Sequence, residues 1–502
     1  MFFVRLTFRI LCFIVLKEVY GDNGEQYNLY GDAGRAYTLE IYIGRPPQKL
    51  NVLVDTGSTT LAIASYARKD SNIYYHSENS TSIFKSGKEV QAKYSQGTWV
   101  GRLVSDLVRS PLLPSIPEVR CDIALITTSH NFFMNGSRWQ GLLGLAYLPV
   151  GAWGENVVVG SWLDSVEHAM NKPMSFRLKL CGARSTTNAT HYGNLELLDD
   201  NTQTEGKMFR TRILRKWWYE IGVLSVRILN STTTDQLENN TNTQLDNKTR
   251  NQAVTDTNVH DIDIEMCLTL NEEKSIVDSG TTNIRLPDIL FRQVVDQLRN
   301  AAQTSNMLIL DDFWYHGEAA CWPEPQEWSL PWLAIDLLSI EADNQYFTLE
   351  IPPQNFMRVV SARNNSRDSG MVSEFCYKLG LEAGGKETIL GYTAMEGLQI
   401  LFNRSTGWIG WQSSNCGFGA RVSGPYNTST SLLTTCQLTQ PVPDVAISIR
   451  AAQWTLCVIS ILAAAVLIYL LAPCIKMFLV KPLPRSQQIS LSQAALVETE
   501  TT

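Results

Sequence analysis

Charge is scarce in this chain: Asp, Glu, Lys and Arg make up 18% of its 502 residues, and no long basic run occurs. With 42 Lys and Arg against 49 Asp and Glu, the net charge is -7. That balance excludes a nucleic-acid surface and suits work in an acidic compartment. Apolar residues make up 44%, so the chain can bury a large core. Its length exceeds one small domain and suits two lobes with additional segments.

Two further absences are local. Between Asn230 and Asp261 almost nothing is apolar, and a stretch of Asn, Thr, Gln and Asp without a core to join reads as a disordered insertion over 230–262. From Ala451 through Ile475 no residue is charged. At about 1.5 Å per residue such a helix crosses a hydrocarbon core of about 30 Å, which predicts a membrane span over 451–475. Lys476, Lys481 and Arg485 follow the span while only Arg450 precedes it closely, so the tail (476–502) is expected in the cytosol and the bulk outside it. Trp454 suits an interfacial anchor. Arg5 and Arg9 ahead of an apolar run read as a signal peptide over 1–21. The expected topology is a single-pass type I membrane protein of the secretory or endosomal pathway or the plasma membrane.

Within the body, the run Leu50–Ser58 drives apolar, β-branched residues into Asp55, Thr56, Gly57 and Ser58. More than two hundred residues later Ser275–Thr282 repeats the pattern with Asp278, Ser279, Gly280, Thr281 and Thr282. Each is a buried strand ending in a tight turn that carries a carboxylate. The echo extends to Gly141–Gly144 after the first copy and Thr388–Gly391 after the second, which marks an internal duplication. Two similar lobes related by a pseudo-twofold axis bring the Asp turns together, where like carboxylates share one proton across the acidic range.

These two Asp-hydroxyl-Gly turns, each followed by its apolar-apolar-Gly, resemble the pepsin-type aspartic protease family. The resemblance implies a mainly β, bilobal fold with a peptide cleft between the lobes and an aspartic endopeptidase activity. It implies that the ionised member of Asp55 and Asp278 takes a proton from water while the protonated member serves the scissile carbonyl. No cofactor, metal or acyl-enzyme enters that scheme. Gly57 and Gly280 let backbone amides reach the carboxylates, and Ser58 and Thr281 hold them. Tyr94, Ser95, Gln96 and Gly97 lie in a hairpin whose turn Gly97 supplies, corresponding to the flap that closes over bound peptide. Phe132 and Trp139 are expected in side-chain pockets and Arg285 is a candidate for the cleft, with a plain surface salt bridge as the competing reading for Arg285. A catalytically silent receptor that holds peptides or a partner in the same cleft is the alternative function.

The match is narrower still around the second turn, the Tyr94 hairpin, Phe132–Trp139 and six cysteine contexts, which resemble the membrane-anchored beta-secretase branch. That resemblance implies the pairs Cys181–Cys416, Cys267–Cys436 and Cys321–Cys376, leaving Cys121 over, and substrates that are themselves membrane-anchored proteins whose ectodomains are processed. The expected organisation is a short N-terminal segment over 22–34, lobes over 35–195 and 196–436 joining near 185–200, and a stalk over 437–450. Helices are expected over Ser161–Met170 and Pro287–Ala302, the latter with Ile289, Leu290, Val294, Val295 and Leu298 on one face. Sequons stand at Asn79, Asn135, Asn188, Asn230, Asn239, Asn247, Asn364, Asn403 and Asn427.

Overall fold

A computed structural model describes residues 27–32, 36–69, 71–95, 97–134, 136–147, 159–185, 188–199, 206–216, 218–229, 262–305, 309–363, 374–438 and 444–479. The expected signal peptide, nearly all of the Asn/Thr-rich insertion and most of the tail lie outside them. So do Gln96, Asn135, Asn230, Asn239, Asn247 and Asn364. By its contacts the chain separates into Met1–Thr439 and Gln440–Thr502.

The first unit is mainly β, and the sequence duplication is a structural one. Strand Gln48–Asp55 runs parallel to Gly141–Gly144 with Leu53 opposite Leu142 and Asp55 opposite Gly144. Strand Ser275–Asp278 runs parallel to Thr388–Gly391 with Ile276 opposite Ile389 and Asp278 opposite Gly391. In both copies the next strand, Leu61–Ala64 or Ile284–Leu286, pairs antiparallel to the apolar-apolar-Gly strand and parallel to a further one. The runs read as near-continuous apolar sequence because both faces are covered: Val52, Val54, Val277 and Leu390 are all at or near zero exposure.

The expected lobe junction falls inside a sheet. Strand Met174–Ser185 lies between Asn188–Asp199 and Leu398–Asn403 in a 13-stranded sheet that draws strands from both halves of the chain. Leu29–Asp32, assigned from sequence to the segment ahead of the first lobe, is a strand of this same sheet paired to Asn188–Asp199, with Leu29 fully buried. Three disulfides, Cys181–Cys416, Cys267–Cys436 and Cys321–Cys376, close sequence separations of 235, 169 and 55 residues. They are the pairs the resemblance implies, and Cys121 is a buried free thiol.

Helix Trp162–Met170 starts at Ser161, whose Oγ accepts from Asp164 N at 2.9 Å while the Asp164 side chain accepts from Ser161 N at 3.4 Å, a capping box. Helix Asp288–Thr304 buries Leu290, Phe291, Val294, Val295 and Leu298. Ile289, expected on that face, is 62% exposed. It shares its stripe with exposed Gln293 and Asp296 at i+4 and i+7, whereas Phe291 falls on the i, i+3, i+4, i+7 set that packs inward.

In the second unit, helix Asp444–Leu479 contains a 19-residue stretch, Trp454–Ala472, that is long and apolar enough to cross a membrane. The large apolar side chains of that stretch, Trp454 among them, are exposed.

Candidate active site

Each Asp sits where its strand ends, and the local sequence fixes its carboxyl. Asp55 accepts from Gly57 N at 2.8 Å through Oδ1 and from the Ser58 hydroxyl through Oδ2. Asp278 accepts from Gly280 N at 2.8 Å and from the Thr281 hydroxyl at 2.6 Å in the same pattern. Thr56 and Ser279 lock the two turns to each other. Thr56 Oγ1 donates to Val277 O at 2.8 Å and accepts from Ser279 N at 2.9 Å. Ser279 Oγ donates to Val54 O at 2.8 Å and accepts from Thr56 N at 3.1 Å.

The glycines do more than free an amide. A Cβ on Gly57 would lie 2.6 Å from the Asp278 carboxyl carbon, and one on Gly280 would collide with the Asp55 carboxyl. Each turn is thus cut away to admit the opposite acid. Both carboxyls are nearly buried, Asp55 at 4% and Asp278 at 9% exposure. Burial first, then the Asp278 carboxyl beside it, holds Asp55 well above the usual carboxylate range, against the lowering bonds from Ser58 and Gly57.

A cavity of about 320 Å³ opens over the pair. Its lining includes Tyr94, Ser95, Gly97, Phe132, Trp139, Thr281 and Thr282. Tyr94 is half-buried, and burial together with the Asp55 carboxyl pushes its phenol pKa up. Its ring packs 5.4 Å from Phe132, which meets Trp139 at 5.7 Å. Hairpin strands Phe84–Lys93 and Thr98–Arg109 carry Tyr94 at their turn. Gly97 does not turn through a positive φ; a Cβ there would lie 2.5 Å from the Asn131 carbonyl carbon, so glycine is needed for the approach of that neighbouring loop.

Arg285 does not line this cavity. Its guanidinium is taken by Glu382, directly opposite it on the adjacent parallel strand. Among the sequon residues, Asn403 is buried and its amide oxygen accepts from Thr406 N at 3.0 Å. Asn79 and Asn427 are exposed, and Asn188 is strand backbone whose side chain is outside the described set.

Several lining residues carry no motif. Met134, Trp218, Lys93 and Lys274 reach the cavity. Beneath the aromatic wall, buried Arg68 donates to Ser137 Oγ at 3.1 Å and to Trp139 O at 2.9 Å, with its guanidinium carbon 4.2 Å from the centre of the Phe133 ring. Nothing in the sequence around Arg68 signals that role. Lys274 had a faint signal, since it stands four residues before Asp278 as Asn51 stands before Asp55. Among the described residues no group of three or more His, Cys, Asp or Glu side chains is placed to hold a metal ion.

Residues 36–266 match the model of the eukaryotic aspartyl protease family. The chain is 29% identical to the beta-secretase of Strongylocentrotus purpuratus over 433 residues, which is 82% of this chain and 72% of that one. It is 24% identical to gastricsin of Suncus murinus over 212 residues, covering 41% of this chain and 52% of that protein. Against gastricsin of Mus musculus it is 26% identical over 159 residues, 31% and 39% of the two chains.

Proposed function

Because the chain belongs to the aspartic protease family, we propose that it is an endopeptidase in which Asp55 and Asp278 share one proton and activate a water molecule. The observation that carries this reading is the facing of two nearly buried carboxyls, each fixed by its own turn's amide and hydroxyl. The ionised member accepts a proton from water as the oxygen attacks the scissile carbonyl carbon. The protonated member hydrogen-bonds the carbonyl oxygen and supplies its proton as the tetrahedral intermediate forms. Return of a proton to the leaving amine closes the cycle. The Thr56 and Ser279 bonds across the turns keep the two acids in register throughout, so reorganisation at the moment of reaction is small. Tyr94 and Ser95 on the hairpin close the cleft over the substrate, while Phe132 and Trp139 take an apolar side chain.

The apolar helix and the similarity to a beta-secretase support a membrane-anchored form of this activity. The basic residues after the helix support a type I orientation, and the three disulfides fit a luminal or extracellular protease unit. Its substrates in this reading are extended segments of other membrane proteins, shed or processed near the bilayer. The experiment is peptide cleavage by the full chain in detergent. Wild type is expected to cut, and Asp55→Asn and Asp278→Asn each to lose about 10⁴-fold or more in kcat, with little further loss in the double variant. Peptide binding without cleavage by the wild type would favour a silent receptor.

A further inference from the structure

The duplication repeats a pair of tyrosines as well as the pair of acids. Thr38 opposes Leu53 and Glu220 opposes Ile276, and each of those partners stands two residues before its Asp. Tyr37 and Tyr219, one residue ahead of Thr38 and Glu220, therefore hold the same place in the two copies. Both are buried, at 1% and 0% exposure, and each donates its hydroxyl hydrogen to the other copy. Tyr219 Oη donates to Leu145 O at 2.7 Å, and Leu145 N donates to Asp55 O at 2.8 Å. Tyr37 Oη donates to Glu396 Oε1 at 2.8 Å. Glu396 N closes the short helix Tyr392–Met395, which directly follows Gly391 and whose Tyr392 N and Thr393 N donate to Thr281 O at 2.9 Å and Thr282 O at 3.1 Å. Each tyrosine thus crosses to the segment that backs the other copy's acid turn.

The Tyr37 end is the more polar of the two. Glu396 Oε1 lies 2.9 Å from His191 Nδ1, both side chains being buried, and Tyr37 Oη accepts from Gly182 N at 2.9 Å. The Tyr392 ring stands edge-on to Tyr37 at 5.3 Å and to His191 at 6.2 Å, and its hydroxyl accepts from Arg358 Nη2 at 3.0 Å. Burial first, then the Glu396 carboxyl, raises the Tyr37 phenol well above its ordinary range, and burial does the same for Tyr219. Both therefore keep the hydrogen that they donate. The described lining of the cavity includes neither tyrosine, nor Glu396, nor His191.

Resting on the protease reading above, we propose that Tyr37 and Tyr219 are positioning residues for the Asp pair. Each ties the backing of one acid turn to the opposite copy from outside the peptide cavity, Tyr219 through Leu145 and Tyr37 through Glu396. The Thr56 and Ser279 bonds join the turns where the acids meet, whereas the tyrosines hold the segments that follow Gly144 and Gly391. Deleting one phenol oxygen frees one acid to shift against the other. What the substrate touches stays the same.

The test uses Tyr37→Phe and Tyr219→Phe in the full chain in detergent micelles, at a temperature where a thermal melt shows each variant folded. In each, kcat is expected to fall about tenfold or more, the scale of a sub-ångström to one-ångström misplacement, while KM stays within about twofold. The pH profile of kcat narrows as well. Repulsion between the carboxyls holds the two apparent pKa values of the pair apart, so they approach each other when the acids separate. Glu396→Gln keeps an oxygen to accept from Tyr37 and is expected to retain most of the kcat that Glu396→Ala loses. Folded Tyr37→Phe and Tyr219→Phe proteins with wild-type kcat and profile width overturn the inference and leave the protease reading intact. A loss confined to KM, or one that follows the fall in melting temperature with the profile unchanged, overturns it equally. Wild type that binds peptide and cuts none overturns the protease reading itself, and the inference falls with it.

Discussion

Thr56 and Ser279 each donate a hydroxyl hydrogen bond to the backbone of the other turn, 2.8 Å to Val277 O and 2.8 Å to Val54 O, and each accepts the other's backbone amide. All four bonds are buried, so the two halves of the duplicated core are joined at the point where the acids meet. Thr56→Val keeps the shape and deletes the hydroxyl, leaving Ser279 N and Val277 O without it. The expected loss is about 1–3 kcal/mol, the cost of a buried group left unsatisfied, read from urea unfolding. Cleavage should fall with it, because the carboxyls lose their common register. Thr56→Ser restores the bonds and should recover most of both.

Asp106 fixes the edge of the first lobe in a comparable way. It is fully buried and accepts from the Tyr75, Ser80 and Ser82 hydroxyls and from Leu107 N at 2.8 Å. Burial alone would push its carboxyl up, yet those four donors together hold it below the usual range. A depressed carboxyl adds stability that is present above its unfolded pKa and lost as pH falls through the folded value. Asp106→Asn is therefore expected to destabilise at neutral pH by about 1–3 kcal/mol. The gap to wild type should narrow under strong acid, as a pH series of denaturant midpoints checks.

The core of this site is legible in sequence because the chemistry is local: a strand, an Asp, a hydroxyl and a Gly adjacent in the chain make their own cradle. The duplication then tells where the two cradles meet. The parts that stay hidden are those assembled across the fold. Arg68 grips the aromatic wall through Ser137 and the Trp139 carbonyl from about seventy residues away. Arg285 lies near Asp278 in sequence, yet the parallel register sets it opposite Glu382, which takes its guanidinium. Leu29–Asp32 looks like a leading segment until the sheet that takes it up is seen.

Sequons divide by what their Asn does in the fold. Asn403 uses its amide oxygen to hold the turn that leads to Thr406, and it is buried. Asn79 and Asn427 are exposed. In a secreted chain Asn79→Gln and Asn427→Gln are expected to speed gel migration each by one glycan, and Asn403→Gln to leave it unchanged while lowering thermal stability. Glycopeptide mapping checks the assignment directly.

Anchoring makes a separate prediction. Met1–Thr439 is a compact unit by its own contacts, so a chain ending at Thr439 should keep its peptide kcat/KM. Cleavage of a bilayer-anchored substrate in cells should drop, because tethering both partners to one surface raises their effective concentration without a new contact. Equal cellular cleavage by the two forms would remove the bilayer from the account of substrate choice.

The raised carboxyl of Asp55 beside Asp278 also has a consequence for stability. A carboxyl whose folded pKa is raised binds its proton more tightly in the native state than in the unfolded chain. The native state is then penalised as pH rises from the unfolded value, about 3.9, through the folded one, and below both values the penalty is absent. Asp55 is in this position, through burial first and Asp278 second. Asp55→Asn removes the group that must otherwise ionise beside a second acid, while leaving Gly57 N an oxygen acceptor at the same place. The variant should be inactive and yet melt at a higher temperature than wild type at pH 7, with the two melting curves converging as pH approaches 3. A variant less stable than wild type across that whole range would mean that the Ser58 and Gly57 bonds to the carboxylate outweigh the strain between the two acids.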